Sequence, residues 1–330
     1  MRRRLISLAR ALVGVGVLAL LMVRMGVTPF VDAIDALRGP VVVLGFAVSA
    51  LTTIFCVWRW REVASGLGIP VPMRAAVGAY YQSQFLDATV PGGVLGDLHR
   101  GVRHGRHVGA VGRGLRAVVW ERSLGQVMQL SLTVLVILLL PSPQRARIPT
   151  GIAPLTAGAV AAGAVAAAAA VGGILLRKGP SQPGGMKARA VSTLRHDLHD
   201  IVCAGPSSLT RIVLASAGAV TGHAAMFVIA ARVSGVSVPL DRLLPVTMLV
   251  IAASGLPANV AGWGPREGAA AWAFGAAGLG AAQGVTTAVV YGVMGLVATL
   301  PGAIVLVAGR PMDGASRRRG ASVSAGAMRP

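Results

Sequence analysis

Acidic residues are scarce in this chain. Its 330 positions hold 11 Asp and Glu against 31 Lys and Arg, a formal net charge of +20, yet charged residues of both signs make up only 13% of the sequence. Such an imbalance points either to nucleic acid or to an anionic membrane surface. Aromatic residues, at 4%, are too few for the first: there are three tyrosines, and no run interleaves rings with basic groups to stack bases. The sequence therefore argues against nucleic acid as a partner and assigns the charge to lipid. Cysteine is nearly absent as well. Cys56 and Cys203 form no CxxC pair, which leaves neither a disulfide framework nor a cysteine-rich metal site. No GxSxG, P-loop, HExxH or dinucleotide-binding fingerprint stands in a strand-to-helix setting, so no motif supports an enzyme, a cofactor or ATP as an energy source.

Apolar residues are what the chain has in excess: 54% of the sequence, with a mean hydropathy of +0.70. Runs long enough to cross a hydrocarbon core of about 30 Å, which takes roughly 20 residues, lie near 5–27, 40–58, 117–140, 152–176, 209–231 and 283–308. They predict an all-α polytopic integral membrane protein with about six transmembrane helices. The first run has the basic start and apolar middle of a secretion signal but no small-x-small cleavage site after it, so it reads as an uncleaved span. Residues 156–173 are almost entirely Ala, Gly and Val, a composition that favours close helix packing over lipid contact.

Basic residues set the orientation. They cluster at Arg2 to Arg4, at Arg59, Arg61 and Arg74, from Arg100 to Arg116, from Arg177 to Arg195, and from Arg310 to Arg319, all on one side if the spans alternate. The opposite loops hold only Arg38, Arg145, Arg147, Arg232, Arg242 and Arg266. A cytoplasmic (inner) membrane protein with both termini cytoplasmic is expected. Residues 1–309 form the membrane domain in this reading, and 310–330 a disordered basic tail. Val191, Leu194, Leu198 and Ile201 recur at helical spacing opposite Arg189, Arg195 and His199, which predicts a short amphipathic helix lying on the cytoplasmic leaflet.

Two further stretches, about 75–98 and 243–279, are apolar but interrupted by glycine, proline and charge. The first contains VPGGVLGDLHR (Val90 to Arg100), the second LPANVAGWGPREG (Leu256 to Gly268). Pro91, Val94, Gly96 and Arg100 recur at the spacing of Pro257, Val260, Gly262 and Arg266, and each copy has an acid nearby, Asp97 or Glu267. Each stretch is expected to be a re-entrant or broken helix. Three crossings separate them, so they enter from opposite sides, which is the arrangement of an inverted repeat with a cavity near the midplane. Pro91, Gly92, Gly93, Gly96, Pro257, Gly262 and Gly264 would permit the bends. Arg100 and Arg266 are the first candidates for headgroup contact, because a helix N-terminus freed by a break attracts anions and arginine offers phosphate a bidentate donor. The competing readings make Arg100 part of the cytoplasmic basic loop and the prolines ordinary turn residues.

Glu121 and Arg122, near the start of the third span, either line a polar path or sit at headgroup depth beside Trp120; the sequence leaves both open. Trp58, Arg59, Trp60 and Arg61 read as an interfacial anchor. No metal site is expected: His99, His104 and His107 lie among arginines that repel a cation, and His196 and His199, beside Asp197 and Asp200, lack an HExxH-like pairing.

The order of these features resembles a known family. Arg59-Trp60, the run from Tyr80 to Phe85 leading into Pro91-Gly92-Gly93, Gly96-Asp97 with Arg100, Glu121 to Gly125, and Gly262 to Gly268 together resemble the flippase-like membrane domain of lysylphosphatidylglycerol synthases over most of residues 1–309. Trp263 and Pro265 stand where that pattern usually has smaller or aliphatic residues. The resemblance implies the lipid-translocating half, without the soluble aminoacyl-transferase domain that follows it in the full synthases.

The expected function is movement of an anionic or zwitterionic lipid headgroup between leaflets, with Arg100, Arg266, Asp97, Glu267, Glu121 and Arg122 lining a polar path and no cofactor required. The alternative, from a different class, is a non-transporting partner or scaffold for a lipid-modifying or glycan-assembling enzyme. A membrane-embedded transferase using Glu121 or Glu267 is a distant third.

Overall fold

The computed structural model describes residues 23, 28–35, 39–90, 94–140, 186–205, 207–255 and 263–307. Among them are ten α-helices and no strand: α1 (Thr28–Asp35), α2 (Gly39–Gly66), α3 (Met73–Thr89), α4 (Leu95–His107), α5 (Val111–Leu139), α6 (Met186–Cys203), α7 (Ser208–Val233), α8 (Leu240–Ser254), α9 (Pro265–Ala276) and α10 (Ala281–Val307). The protein is all-α, as its composition implied. Helices α2, α5, α7 and α10 are 28, 29, 26 and 27 residues long and apolar enough to cross a membrane. At 1.5 Å per residue each reaches about 40 Å, more than the hydrocarbon core requires. They are the second, third, fifth and sixth expected spans. The first and fourth, the Ala/Gly/Val run and the basic tail lie outside the described residues.

Two expectations change here. Helix α2 does not end at residue 58 with an aromatic-basic anchor; it continues to Gly66, and Arg59 and Trp60 are buried in protein. The pattern misled because Trp60 and Arg59 have partners on other helices, which composition does not reveal. Helix α6 is amphipathic, but its apolar edge does not lie free on the leaflet. Leu198 and Ile201 are buried in a cluster with Trp60, Val63 and Ile212, and a Cβ on Gly66 would come within 2.8 Å of Ile201 Cα. Asp197 fixes the helix further by accepting from Arg116 Nε at 2.6 Å.

Both interrupted stretches are broken helices. Helix α3 ends at Thr89 and α4 begins at Leu95; α8 ends at Ser254 and α9 begins at Pro265. Of the bend residues, Pro91, Gly92, Gly93, Pro257 and Gly262 lie outside the described residues, while Gly96 and Gly264 are in view. Gly264 needs to be glycine because its φ is 112°. Its N–H donates to Glu267 Oε2 at 2.7 Å, and Pro265 opens the helix where no N–H is needed. Gly96 needs to be glycine for a different reason: a Cβ there would run into the Ser83 carbonyl of α3.

The helices fall into two runs of like build, α2 to α5 and α7 to α10, each a long helix, a broken pair and a second long helix. The turns repeat in detail. After α2, Leu67, Gly68 and Ile69 donate to Val63, Ser65 and Ala64; after α7, Ser234, Gly235 and Val236 donate to Ala230, Arg232 and Ala231. Gly68 and Gly235 supply the positive φ that this helix-ending motif requires, 70° and 88°. Between α4 and α5 the same pattern joins Val108, Gly109 and Ala110 to His104, Arg106 and Gly105, and between α9 and α10 it joins Ala277, Gly278 and Leu279 to Ala273, Gly275 and Phe274.

The runs meet along α2 and α7, which pack antiparallel. Thr52 lies against Gly222, Phe55 against Gly218, and Arg211 Nε reaches Glu62 Oε2 at 3.3 Å. Glycine lets the two backbones approach closely, as helix packing in lipid favours. Counted back from Gly68 and Gly235, Phe55 and Gly222 are equivalent positions, so the crossing presents nearly the same residues from both sides. The outer pairs follow suit: Gly302 of α10 packs on the Tyr81 backbone of α3, and Gln129 and Thr133 of α5 reach the Met248 carbonyl of α8 at 3.5 and 3.4 Å.

Candidate functional site

Where α4 and α5 approach, the first run gathers six charged side chains. Glu121, fully buried on α5, is held on both carboxylate oxygens. Its Oε1 accepts from Arg59 Nη2 at 2.5 Å and Nε at 3.1 Å and from the Tyr80 hydroxyl at 3.3 Å; Oε2 accepts from Arg100 Nη2 at 3.0 Å. Arg100 also donates to Asp97 Oδ1 at 3.0 Å, and Asp97 takes Arg122 Nε on Oδ2 at 2.6 Å and Ser83 Oγ on Oδ1 at 3.1 Å. Arg122 Nη2 is 3.7 Å from Asp87 Oδ2, and Asp87 Oδ1 accepts the Gly96 N–H at 2.8 Å, which ties the start of α4 to α3. Three cations and three anions thus neutralise one another in an interior where a lone buried charge would be expensive.

Arg100 is not in a basic loop. It is 1% exposed, with its guanidinium 4.5 Å from the Trp60 ring centre and 4.3 Å from that of Tyr80. Among the described residues its Nε and Nη1 have no hydrogen-bond partner; stacking between the two rings supports that part of the cation. The second run is sparser. Arg266 is paired with its neighbour Glu267, Nη2 to Oε1 at 2.5 Å, and lies 5.1 Å and 5.4 Å from the ring centres of Trp263 and Tyr291. Tyr291 Oη is 3.1 Å from His223 Nδ1.

The equal spacing of the two sequence motifs does not carry through to matched positions. Measured from the turns after α4 and α9, Arg266 occupies the place of Asp97, not of Arg100. Its neighbour confirms the register: Asp97 meets Arg122 on α5, and Arg266 abuts Gly292 at the equivalent place on α10. With glycine where the first run has arginine, Arg266 turns to Glu267 on its own helix.

A cavity of about 480 Å³ opens between the runs. Asp97 and Arg122 line it, and Arg100, Glu121, Arg266 and Glu267 do not. Of the sequence candidates, the first pair therefore faces open space, while the other four are sealed in ion pairs behind it. Arg122 is the most open, with half of its side chain exposed. Residues that the sequence reading did not place at the site complete the wall: Arg59, read there as an anchor, Tyr80 and Gln84, then Gln126 and Gln129 on the face of α5 that carries Arg122, and His223 with Tyr291 opposite. The helical spacing of Arg122, Gln126 and Gln129, and a histidine inside an apolar run, were the available signals. Gly125 lets Arg59 reach Glu121, since a Cβ there would lie 2.8 Å from the guanidinium carbon. Val94 just before α4 and Ser254 and Gly255 at the end of α8 also line the cavity, so both helix breaks border it. Within a membrane, backbone that is not helical is tolerated when it faces such a space. No group of three or more metal-binding side chains occurs among the described residues.

Searches of curated proteins and of solved structures find no match. A family profile, described as the lysylphosphatidylglycerol synthase TM region, matches residues 7–302. That span takes in every described helix except the end of α10 and every residue of the cavity, so the chain belongs to the lysylphosphatidylglycerol synthase transmembrane-region family, a family of membrane domains with a lipid-related role.

Proposed function

We propose that the protein carries a phospholipid or lipid-linked headgroup between leaflets of the cytoplasmic membrane through the cavity between its two runs, while the acyl chains remain in the bilayer. The observation that carries this reading is the cavity wall: polar side chains and two guanidinium groups around about 480 Å³, at the level of both helix breaks. That volume is within the range of roughly 300–1,000 Å³ found for small-molecule sites. Arg122 and Arg59 would bind the phosphate, Gln84, Gln126 and Gln129 the hydroxyls, amine or carbonyls around it. Asp97 would hold Arg122 in place, and Arg100, Glu121, Arg266 and Glu267 would act behind the wall as supports. Motion rather than bond-making is the activity proposed, so no catalytic residue is assigned.

The two runs supply a mechanism if they form an inverted repeat, with the termini cytoplasmic. The antiparallel packing of α2 on α7 and the repeated turns support this reading. Related halves of opposite sense open a shared cavity first to one side and then to the other by rocking.

Reconstitution tests both parts. Liposomes holding the purified protein and labelled lipid should lose label to a membrane-impermeant quencher faster than empty liposomes. No acceleration over empty liposomes for any of phosphatidylglycerol, aminoacylated and polyprenyl-phosphate lipids would overturn translocation. Single cysteines at Leu95 and Ala261 in a chain lacking Cys56 and Cys203 should label from opposite sides; labelling of both from one side would overturn the inversion.

A further inference from the structure

We propose that the cavity takes an anionic phosphate headgroup together with one proton, held on His223, and that the two cross as a pair; this rests on the translocation reading above. Charge balance is the starting point. Arg59, Arg100 and Arg122 are matched by Asp87, Asp97 and Glu121, and Arg266 by Glu267. The ion pairs therefore bring no net charge to the cavity. A phosphodiester adds one negative charge to a neutral site at membrane depth, where an uncompensated ion is poorly solvated.

Few side chains can supply the compensating positive charge. The groups facing His223 are Cys56 and Arg59 on α2, Tyr80 on α3, Asp97 on α4, Arg122 on α5 and Tyr291 on α10. Helix α8 contributes Ile251 and Ser254, which are uncharged, and α6 meets α7 at Ser208, about four turns from His223. Cysteine and tyrosine only become negative on titration. The arginines are already charged, and Asp97 is neutralised only by breaking its bonds to Arg100 and Arg122. His223 alone among these cavity-lining groups gains positive charge by taking a proton without losing an ion pair.

The geometry suits that role. His223 Nδ1 lies 3.1 Å from Tyr291 Oη, which fixes the ring, and Nε2 has no partner among the described residues. As imidazolium the ring donates Nδ1–H to Tyr291 and Nε2–H into the cavity. Arg59 and Arg122 oppose that charge in the empty cavity; a phosphate bound between them reverses the local field and favours it. The proton enters from water on the loading side and returns to water on the release side, with no bond made or broken in the lipid. A zwitterionic headgroup, carrying its own cation, needs no such proton.

The test uses the full chain in phosphatidylcholine nanodiscs, titrated with short-chain phosphatidylglycerol in buffers of different ionisation enthalpy. We expect uptake of about one proton per lipid bound, and affinity that rises up to tenfold for each unit fall in pH. His223→Gln should bind without uptake or pH dependence. Tyr291→Phe should keep the uptake with a shifted midpoint, which separates proton binding from simple misfolding. Short-chain phosphatidylcholine should bind without proton uptake. Binding by the wild type with no uptake between pH 6 and pH 8, or uptake that persists in His223→Gln, would overturn the proposal. So would equal binding of glycerol 3-phosphate, which would assign the site to a soluble ester. Proton-linked binding without lipid flux in liposomes would instead leave the proton site standing and remove translocation.

Discussion

Replacing Glu121 by glutamine separates the supports of the site from its working surface. The carboxylate is fully buried and takes two bonds from Arg59, one from Tyr80 and one from Arg100. Glutamine keeps the volume and one acceptor oxygen but removes the charge, which takes from Arg59 the anion it is paired with and leaves Arg100 with Asp97 alone. Breaking one partner of a buried ion pair costs about 3–5 kcal/mol. The retained oxygen places this substitution near the lower figure, still more than a hundredfold in the unfolding equilibrium. Arg122→Gln is the control. Its side chain is half exposed, its contact with Asp87 is long at 3.7 Å, and Asp97 would keep Arg100 and Ser83 and Asp87 the Gly96 N–H as partners, so the loss should be about 1 kcal/mol or less. Detergent-driven unfolding in mixed micelles, followed by tryptophan fluorescence, measures both. Lipid flux should order the variants differently, with Arg122→Gln losing most of its transport while remaining folded. The reasoning fails if Arg122→Gln destabilises as much as Glu121→Gln, or if it transports normally.

Three other outcomes follow from the packing and the charges. Gly222→Val should lower stability by about 1–3 kcal/mol through overpacking at the α2 and α7 crossing, because even its Cβ would collide with Thr52; a thermal scan in detergent reads it, and an unchanged midpoint would count against the close approach. Gly125→Ala should crowd the Arg59 guanidinium and slow transport more than it lowers stability. His104, at the C-terminal end of α4, donates its Nε2–H to the Ile69 carbonyl oxygen at 2.8 Å. Burial holds this imidazole below its ordinary value of 6.5, with the Ile69 contact opposing and His107 adding to the shift. A lowered value means that the folded state prefers the neutral ring, so its contribution is complete above pH 6.5 and shrinks as the pH falls below it. Unfolding measured across that range should become easier on the acid side, and His104→Gln should flatten the slope.

The long helices were legible because lipid imposes a simple rule on them, a run of apolar residues of sufficient length. The breaks were legible for the opposite reason, since glycine, proline and charge have few other uses inside such runs. The cavity wall was harder. Arg59 sits beside two tryptophans in a pattern that normally marks a membrane surface, and only its partner Glu121, far away in sequence, shows that it is buried. Arg100 and Arg266 looked equivalent by spacing, yet the second break is longer, and the register after it pairs Arg266 with the place of Asp97. Spacing counts residues along the chain, whereas equivalence is fixed by the turns, where Gly109 and Gly278 mark the same step. His223 drew no notice because a single histidine in an apolar run carries no motif; its meaning lies in what the other helices bring to face it.

The contact of Thr52 with Gly222 and of Phe55 with Gly218 has a mechanical consequence. It lies where two near-equivalent surfaces meet one another, so it behaves as a fulcrum for any tilting of one run on the other. Displacement is least at a fulcrum and grows along the lever arms, toward Glu62 and Arg211 at one end of α2 and toward Gly45, where α2 meets Met294 of α10, at the other. Spectroscopic labels at the crossing should hold a nearly constant separation through the proposed rocking, while labels at the two ends should change in opposite senses, one pair closing as the other opens.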